Sequence, residues 1–154
     1  MGLIMERLRE GGFLISKIHQ LSGRIFTKLL KFYKINEINP AQGRVMYPLW
    51  RKDNLSFHTL LTRTSLSKAS LSHTLENLEK AGYIKRVPSQ DDKRTIFIKL
   101  TKKSKALHDE FIDVSIEMGN LFYNRFSERE RDEVEDYLRR ILKNLSKYKE
   151  EKKL

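Results

Sequence analysis

The 154-residue chain carries 31 lysine and arginine residues against 20 aspartate and glutamate residues, a formal net charge of +11, and it contains no cysteine. This length predicts one domain, or one domain with extensions. The lack of cysteine excludes disulfides, thiolate metal ligands and thiol catalysis. No apolar run reaches the roughly 18 residues of a membrane span, and the first residues become charged too early for a secretory signal. We therefore expect a soluble, cytoplasmic protein without a membrane partner.

The positive charge is concentrated outside the C-terminal third of the chain. Residues 63–105 carry a net charge of +7, whereas residues 106–154 carry one of −2. This distribution indicates a face for an anionic partner, and nucleic acid is the partner that best suits it. The alternative is a generally lysine-rich surface. Because no nucleophile–base pair, phosphate-binding glycine loop or carboxylate pair stands out, we expect neither catalysis nor a cofactor.

The N-terminal part of the sequence predicts two helices. A glycine pair at 11–12 precedes a long pattern in which apolar residues recur at spacings of three and four. These residues are Leu14, Ile18, Leu21, Ile25, Leu29 and Phe32. An Asn-Pro pair then opens a helix over about 39–52, because asparagine caps helices well and proline is tolerated at the first position. Pro48 lies inside that helix, removes the hydrogen bond to the Arg44 carbonyl and is expected to introduce a kink.

The central part predicts a helix-turn-helix followed by a β-hairpin. Ser56 caps a short helix to about Arg63, and after a three-residue turn Ser67 caps a second helix to Ala81. Gly82 then interrupts the helical pattern. The segments that follow alternate as strand, turn and strand, over 83–87, 88–93 and 94–100.

The C-terminal part predicts two more amphipathic helices. Thr101 caps a helix to about Arg125, and Ser127 with Glu130 forms a capping box for the last helix. The long apolar stripes at both ends of the chain cannot all be buried on a small central domain, so we expect a homodimer in which the terminal helices pair about a two-fold axis. The expected fold is mainly α, a winged helix-turn-helix with a small β-hairpin wing. Its expected parts are an N-terminal dimerisation helix, a DNA-binding domain and C-terminal dimerisation helices, over 1–38, 39–100 and 101–154.

The second helix of the helix-turn-helix is the expected reader of DNA. Its leucines share one face, so the small and polar residues of the other faces are available to base edges in the major groove and to neighbouring phosphates. The candidate contacts are Lys68, Ser70, Ser72, His73 and Asn77. A solvated polar face is the alternative interpretation.

The hairpin is expected to add contacts in the minor groove. The candidate residues are Arg86, Asp92, Lys93 and Arg94. A carboxylate at a DNA-binding tip repels phosphates, so we expect Asp92 to orient Arg94 or Arg86 through charge-assisted hydrogen bonds. The oriented arginine would enter a narrow, A·T-rich groove. The alternative is a turn-forming aspartate with an ordinary surface salt bridge.

Two stretches resemble the MarR family of winged helix-turn-helix transcriptional regulators. Residues 78–86 (LEKAGYIKR) are similar to the family pattern L-E-x-x-G-[LY]-[IV]-x-R, and residues 92–94 (DKR) with 98–101 (IKLT) are similar to its wing pattern. In element order the resemblance covers roughly 10–148. It implies a homodimer on an inverted-repeat operator, with a recognition helix in the major groove and Arg94 in the minor groove. It also implies a repressor that releases DNA when a small molecule, often an aromatic anion, binds.

This chain departs from the family pattern at three positions, and two of them, Gly43 and Pro48, lie near the ligand site that the resemblance implies. Gly43 stands where an aromatic residue is usual, Pro48 is unusual in its helix, and Leu61 replaces a residue that is usually small. We hypothesise an effector site with aromatic walls and one cation, suited to an aromatic carboxylate. Its candidate residues are Arg44, Tyr47 and Trp50. Ordinary core packing is the alternative.

Two further interpretations remain open from the sequence. His108 stands beside Asp109 and Glu110 and is a candidate metal ligand, but the four histidines form no paired motif, so we expect no metal site. A winged helix also serves as an architectural or protein-interaction module that binds DNA without sequence preference. Selection from a random duplex pool separates that module from a regulator.

Overall fold

The computed structural model describes Gly2 and residues 8–153. The chain is mainly helical with one small antiparallel sheet, as expected for a winged helix-turn-helix. In chain order the elements are α1 (Gly11–Phe32), α2 (Pro40–Arg51), β1 (Leu55–Ser56), α3 (Phe57–Thr64), α4 (Lys68–Lys80), β2 (Ile84–Pro88), β3 (Ile96–Leu100), α5 (Lys102–Ala106), α6 (His108–Phe122) and α7 (Glu128–Lys152).

Side-chain caps begin most of these helices at the predicted residues. Ser56 and Ser67 accept hydrogen bonds from the third residue of α3 and α4. Asn39 and Ser127 each form a complete capping box at the start of α2 and α7. Each cap satisfies a backbone N–H that has no partner within its helix, so these polar residues determine where the helices begin.

The helix-turn-helix is held by a leucine-rich core. The buried side chains of α2, α3 and α4 belong to one cluster with the sheet, and its fully buried members include Val45, Leu49, Leu60, Leu71, Leu75, Leu78 and Ile98. Between α3 and α4 the chain turns through Ser65, which adopts a left-handed conformation (φ 54°) without a glycine. The predicted helix-turn-helix is confirmed, and one face of α4 is committed to the core.

The sheet contains a strand that the sequence analysis missed. The order is β1-β3-β2, with Leu55 opposite Ile98 and Arg86 opposite Ile98 on the other side. The sequence predicts no element between the helix over about 39–52 and the cap at Ser56, because a two-residue strand has no periodicity to recognise. Asp53 fixes the strand in place by accepting a hydrogen bond from the Leu100 backbone N–H (2.8 Å).

The prediction of one continuous helix from Thr101 to about Arg125 is wrong. The segment forms two helices, α5 and α6, separated at Leu107, and α6 ends at Phe122. The Ser104 carbonyl accepts the indole N–H of Trp50 (3.3 Å). In a continuous helix that carbonyl would pair with the N–H of His108, the residue at which α6 begins. The hydrogen bond from Trp50 of α2 thus occupies a backbone acceptor at the break between α5 and α6.

The terminal helices leave apolar side chains in solvent. The chain divides into one compact unit ending at Ile116 and a second beginning at Glu117. In the first unit α1 exposes Leu14, Ile18 and Leu21, and in the second the exposed residues include Leu121, Phe122, Leu138, Ile141, Leu142 and Leu145. Among the described residues, no helix has the length and apolarity to cross a bilayer.

Gly43 makes room for an aromatic cluster. Phe111 packs edge-on against Phe26 (5.6 Å between ring centroids) and at a tilt of 48° against Trp50 (4.3 Å). A Cβ atom on Gly43 would lie 3.0 Å from Cζ of Phe111. The space beside Gly43 is therefore filled by a ring from α6.

We expect Gly43→Ala to lower the free energy of unfolding by about 1–2 kcal/mol, because Phe111 is held between two rings and overpacking outweighs the better helix propensity of alanine. Urea denaturation at a fixed protein concentration measures the change. Gly23→Ala is the matched control, since nothing lies within 4 Å of its added Cβ. That control is expected to gain up to about 1 kcal/mol. Equal stabilisation by both substitutions would contradict the packing role of Gly43.

Candidate nucleic-acid interface

The polar face of α4 is exposed because the opposite face is buried. Leu71, Leu75 and Leu78 are fully buried, and at about 100° per residue they leave the other faces free. Of the predicted contacts, Lys68, Ser70, Ser72 and His73 are exposed, and Asn77 is half-buried. The structure therefore leaves the predicted major-groove residues accessible on the faces of α4 that the core does not cover.

His73 and Asn77 are paired before any DNA is bound. The Nδ2 atom of Asn77 lies 3.2 Å from Nε2 of His73. In the tautomer that carries its proton on Nδ1, His73 accepts this hydrogen bond. Asn77 then keeps its carbonyl oxygen and one N–H, which are the two groups an asparagine needs for a bidentate contact with adenine.

The start of α4 is organised by two serines. The Ser67 hydroxyl accepts from the Ser70 backbone N–H (3.1 Å) and donates to the Ser70 hydroxyl (3.0 Å). The Ser70 hydroxyl proton therefore remains free to point outward. Small side chains at this end of the helix allow the backbone to approach a groove floor closely.

Asp92 organises the wing tip through the backbone and does not hold an arginine side chain as predicted. Its Oδ1 accepts from the Arg94 backbone N–H (2.9 Å), and its Oδ2 accepts from the Thr95 hydroxyl (3.4 Å). The Thr95 N–H in turn donates to the Asp92 carbonyl (2.9 Å). Among the described residues Asp92 forms no ion pair, so the predicted bond to an arginine guanidinium is wrong, and of the alternative only the turn-forming part is observed. Lys93 and Arg94 are exposed at the tip.

Arg86 is held by Glu79, a residue that the sequence analysis overlooked. The Glu79 carboxylate accepts from the Arg86 backbone N–H (3.2 Å) and lies 3.5 Å from its Nε. The contact joins the last turn of α4 to β2. Both residues belong to the LEKAGYIKR motif, on either side of Gly82, which reverses the chain with a φ of +82°. The spacing of an acid and a base around this glycine could therefore have predicted the contact.

A second overlooked network lies behind the recognition helix. Lys103 donates to the Ala81 carbonyl (2.9 Å) and pairs with Glu37 (2.9 Å), while its Nζ lies 4.6 Å from the ring centroid of Tyr83. The Tyr83 hydroxyl donates to the same carboxylate. Burial is the main cause that raises the pKa of Tyr83, and its hydrogen bond to Glu37 adds to the rise. The pKa of Glu37 is lowered mainly by the hydrogen bond from Tyr83 and also by the hydrogen bond and the charge of Lys103. The network links the segment after α1, the end of α4 and α5.

The three residues hypothesised to line an effector site do not share one cavity. Arg44 borders a groove with Arg24 and His19, whereas Trp50 borders a cavity of about 260 Å³ with Lys105 and His108. Tyr47 is half-exposed, and its hydroxyl accepts from Arg51 (3.1 Å). At about 100° per residue, positions 44 and 50 lie roughly 120° apart around α2, and this angle separates them.

His108 pairs with the adjacent Asp109 (3.1 Å) and packs edge-on against Trp50. Within Gly2 and residues 8–153, no group of three histidine, aspartate or glutamate side chains is arranged to hold a metal ion.

Comparisons with known proteins agree with this architecture. Residues 38–96 match the sequence model of the MarR family. The chain is 26% identical over 131 residues to the HTH-type transcriptional regulator SarZ of Staphylococcus aureus, and the match covers 85% of this chain and 87% of SarZ. A mutant MarR from E. coli complexed with operator DNA superposes with a TM-score of 0.72 at 23% identity, over 85% of this chain and 92% of that one. Bordetella bronchiseptica BpsR, solved to explain regulation of its DNA binding by 6-hydroxynicotinic acid, gives 0.75 at 19% identity, over 86% and 98%.

Residues 38–96 form a MarR-family domain. A protein with this domain and this similarity to SarZ is a DNA-binding transcriptional regulator. The recognition helix of this MarR-family domain is α4, and its wing is the hairpin of β2 and β3.

Two neighbouring aspartates at the wing tip are expected to affect DNA affinity in opposite directions. Asp92→Ala removes the acceptor for the Arg94 N–H and the Thr95 hydroxyl, so affinity falls severalfold although a negative charge is lost. Asp91→Ala makes the same change of charge at an exposed side chain, so affinity rises slightly. Fluorescence anisotropy with a labelled promoter duplex measures both. A gain in affinity for Asp92→Ala would show that simple charge repulsion governs the tip.

Proposed function

We propose that the protein is a homodimeric repressor that binds an inverted-repeat operator. In each protomer α4 enters the major groove, and the wing places Arg94 in the adjacent minor groove. The observation that carries the proposal is an exposed polar face on α4, followed by a hairpin of net positive charge whose tip exposes Arg94. Among the described residues, the guanidinium of Arg94 has no hydrogen-bond partner, so it is available to a ligand. The mutant E. coli MarR bound to operator DNA supports this use of the fold.

The dimer is proposed from the exposed apolar stripes. Single exposed apolar residues are ordinary, but contiguous exposed stripes are typical of protein interfaces. Ile18 on α1 and Leu142 on α7 are each about half exposed, at 50% and 55%. We assign dimerisation to residues 1–38 and 101–154 and DNA binding to residues 39–100. A two-fold dimer places its recognition helices at half-sites about one helical turn of DNA apart.

Selection from a random duplex pool tests this function. The wild-type protein is expected to enrich an inverted repeat, whose symmetry would report the two-fold dimer. An absence of enrichment would favour an architectural module. Arg94→Ala is expected to weaken binding to the selected duplex by about 1–3 kcal/mol, whereas Lys149→Ala near the end of α7 is the control for loss of one positive charge. Unaltered binding by Arg94→Ala would remove the assigned role of the wing.

We further propose that a small organic anion releases the protein from DNA. The BpsR neighbour, whose DNA binding is regulated by 6-hydroxynicotinic acid, supports this class of effector. The groove bordered by Arg44, Arg24 and His19 offers cations, and two of them are arginines able to bind a carboxylate in bidentate fashion. Trp50 lies on the same helix as Arg44 and contacts α5 through Ser104.

Titration of salicylate against the fluorescence of Trp50, the sole tryptophan, is expected to give a saturable change. The change is expected to shift to higher concentration in Arg44→Ala, because that substitution removes one cation from the groove. Arg51→Ala is the control, since Arg51 contacts Tyr47 on the same helix. A flat titration at millimolar salicylate would argue against an effector of this class.

A further inference from the structure

Glu76 lies at the centre of the exposed face of the recognition helix. At about 100° per residue, the direction opposite the buried Leu71, Leu75 and Leu78 is occupied by Ala69, His73, Glu76 and Lys80. The Glu76 side chain is 54% exposed. A carboxylate therefore lies on the surface that the proposed function directs at DNA, beside His73 of the base-reading set.

Glu76 is paired with a lysine. Lys80 lies 2.9 Å from its Oε1. The hydrogen bond and the charge of Lys80 are the main causes that lower the pKa of Glu76, and the charge of Arg86 acts in the same direction. Because Lys80 is one turn further along α4, the ion pair runs along the helix and holds the carboxylate in a defined position.

The other carboxylate of α4 has a different task. Glu79 is occupied by the backbone and side chain of Arg86, so it serves the junction between α4 and β2. Glu76 pairs with Lys80, another exposed side chain of the same helix. Beyond the small stabilisation that an i, i+4 pair gives its own helix, fold stability gives no reason for an acid at position 76.

A carboxylate in a major groove discriminates sharply between bases. Guanine presents two acceptors and thymine presents one, and adenine places its N7 acceptor beside its amino group. A carboxylate placed against guanine, thymine or adenine would therefore face the lone pair of an acceptor on the base. Cytosine presents the N4 amino group without an adjacent acceptor, so it satisfies the carboxylate. Away from such a base, the charge opposes binding to phosphates.

Building on the DNA-binding function proposed above, we propose that Glu76 is a specificity-determining residue that accepts a hydrogen bond from cytosine N4 within each half-site and penalises other bases there. Lys80 positions the carboxylate and offsets its repulsion from the neighbouring phosphates. His73 and Asn77 read the flanking base edges. Discrimination thus comes from a repulsive element as well as from attractive contacts.

Random-pool selection with wild type and Glu76→Gln tests the inference. The wild type is expected to select a cytosine at one position of each half-site. In Glu76→Gln the discrimination at that position falls roughly tenfold or shifts toward adenine, because a glutamine can pair with adenine N6 and N7. Affinity for unrelated duplexes rises as the negative charge is lost. Preferences at the other positions stay the same.

Glu151→Gln is the matched control, since Glu151 forms an i, i+4 pair with Lys147 on α7 and its loss changes the net charge identically. It is expected to leave the selected sequence unchanged. If Glu76→Gln selects the wild-type sequence with equal stringency, or if the wild type selects no cytosine, the role of Glu76 is overturned while sequence-specific binding stands. If the wild type enriches nothing, both the inference and the proposed function fail.

Discussion

The burial of three leucines on one side of α4 is the constraint on which the rest of the interface depends. Leu71, Leu75 and Leu78 are each removed completely from solvent against the core of α2 and α3. Burial of a leucine side chain contributes on the order of 2 kcal/mol, so the helix cannot rotate about its axis without losing much of the core. Its polar face is consequently directed outward, and Ser70, His73, Glu76 and Asn77 are displayed together.

Three acidic residues between positions 53 and 92 accept hydrogen bonds from backbone N–H groups. Asp53 accepts from Leu100 N–H, Glu79 from Arg86 N–H and Asp92 from Arg94 N–H. A carboxylate that accepts backbone hydrogen bonds forms charge-assisted contacts, which are stronger than neutral ones. These three acids fix β1 to β3, α4 to β2 and the wing tip, respectively. These three carboxylates therefore shape this part of the chain, whereas Glu76 pairs with an exposed lysine of its own helix.

The aromatic cluster around Gly43 connects α2 to the helices that follow the wing. Trp50 packs on Phe111 and donates its indole N–H to Ser104. The preceding residue of α5, Lys103, reaches the Ala81 carbonyl and the Glu37 carboxylate. Two neighbouring residues of α5 thus contact different parts of the domain. A displacement of α5 would therefore alter contacts both with α2 and at the end of α4.

Local chemistry in the sequence was sufficient for the caps, the helix-turn-helix and the set of residues exposed on α4. Asn39, Ser56, Ser67 and Ser127 act on backbone groups a few residues away, and the leucine spacing in α4 has only one helical interpretation. The strand β1, the interruption at Leu107 and the partners of Asp92 and Glu79 required the folded chain. Each depends on groups that meet only after packing, such as Trp50 with Ser104, or on a choice between acceptors of similar chemistry. Sequence spacing does not rank those choices, because distance and burial in three dimensions determine which hydrogen bond forms.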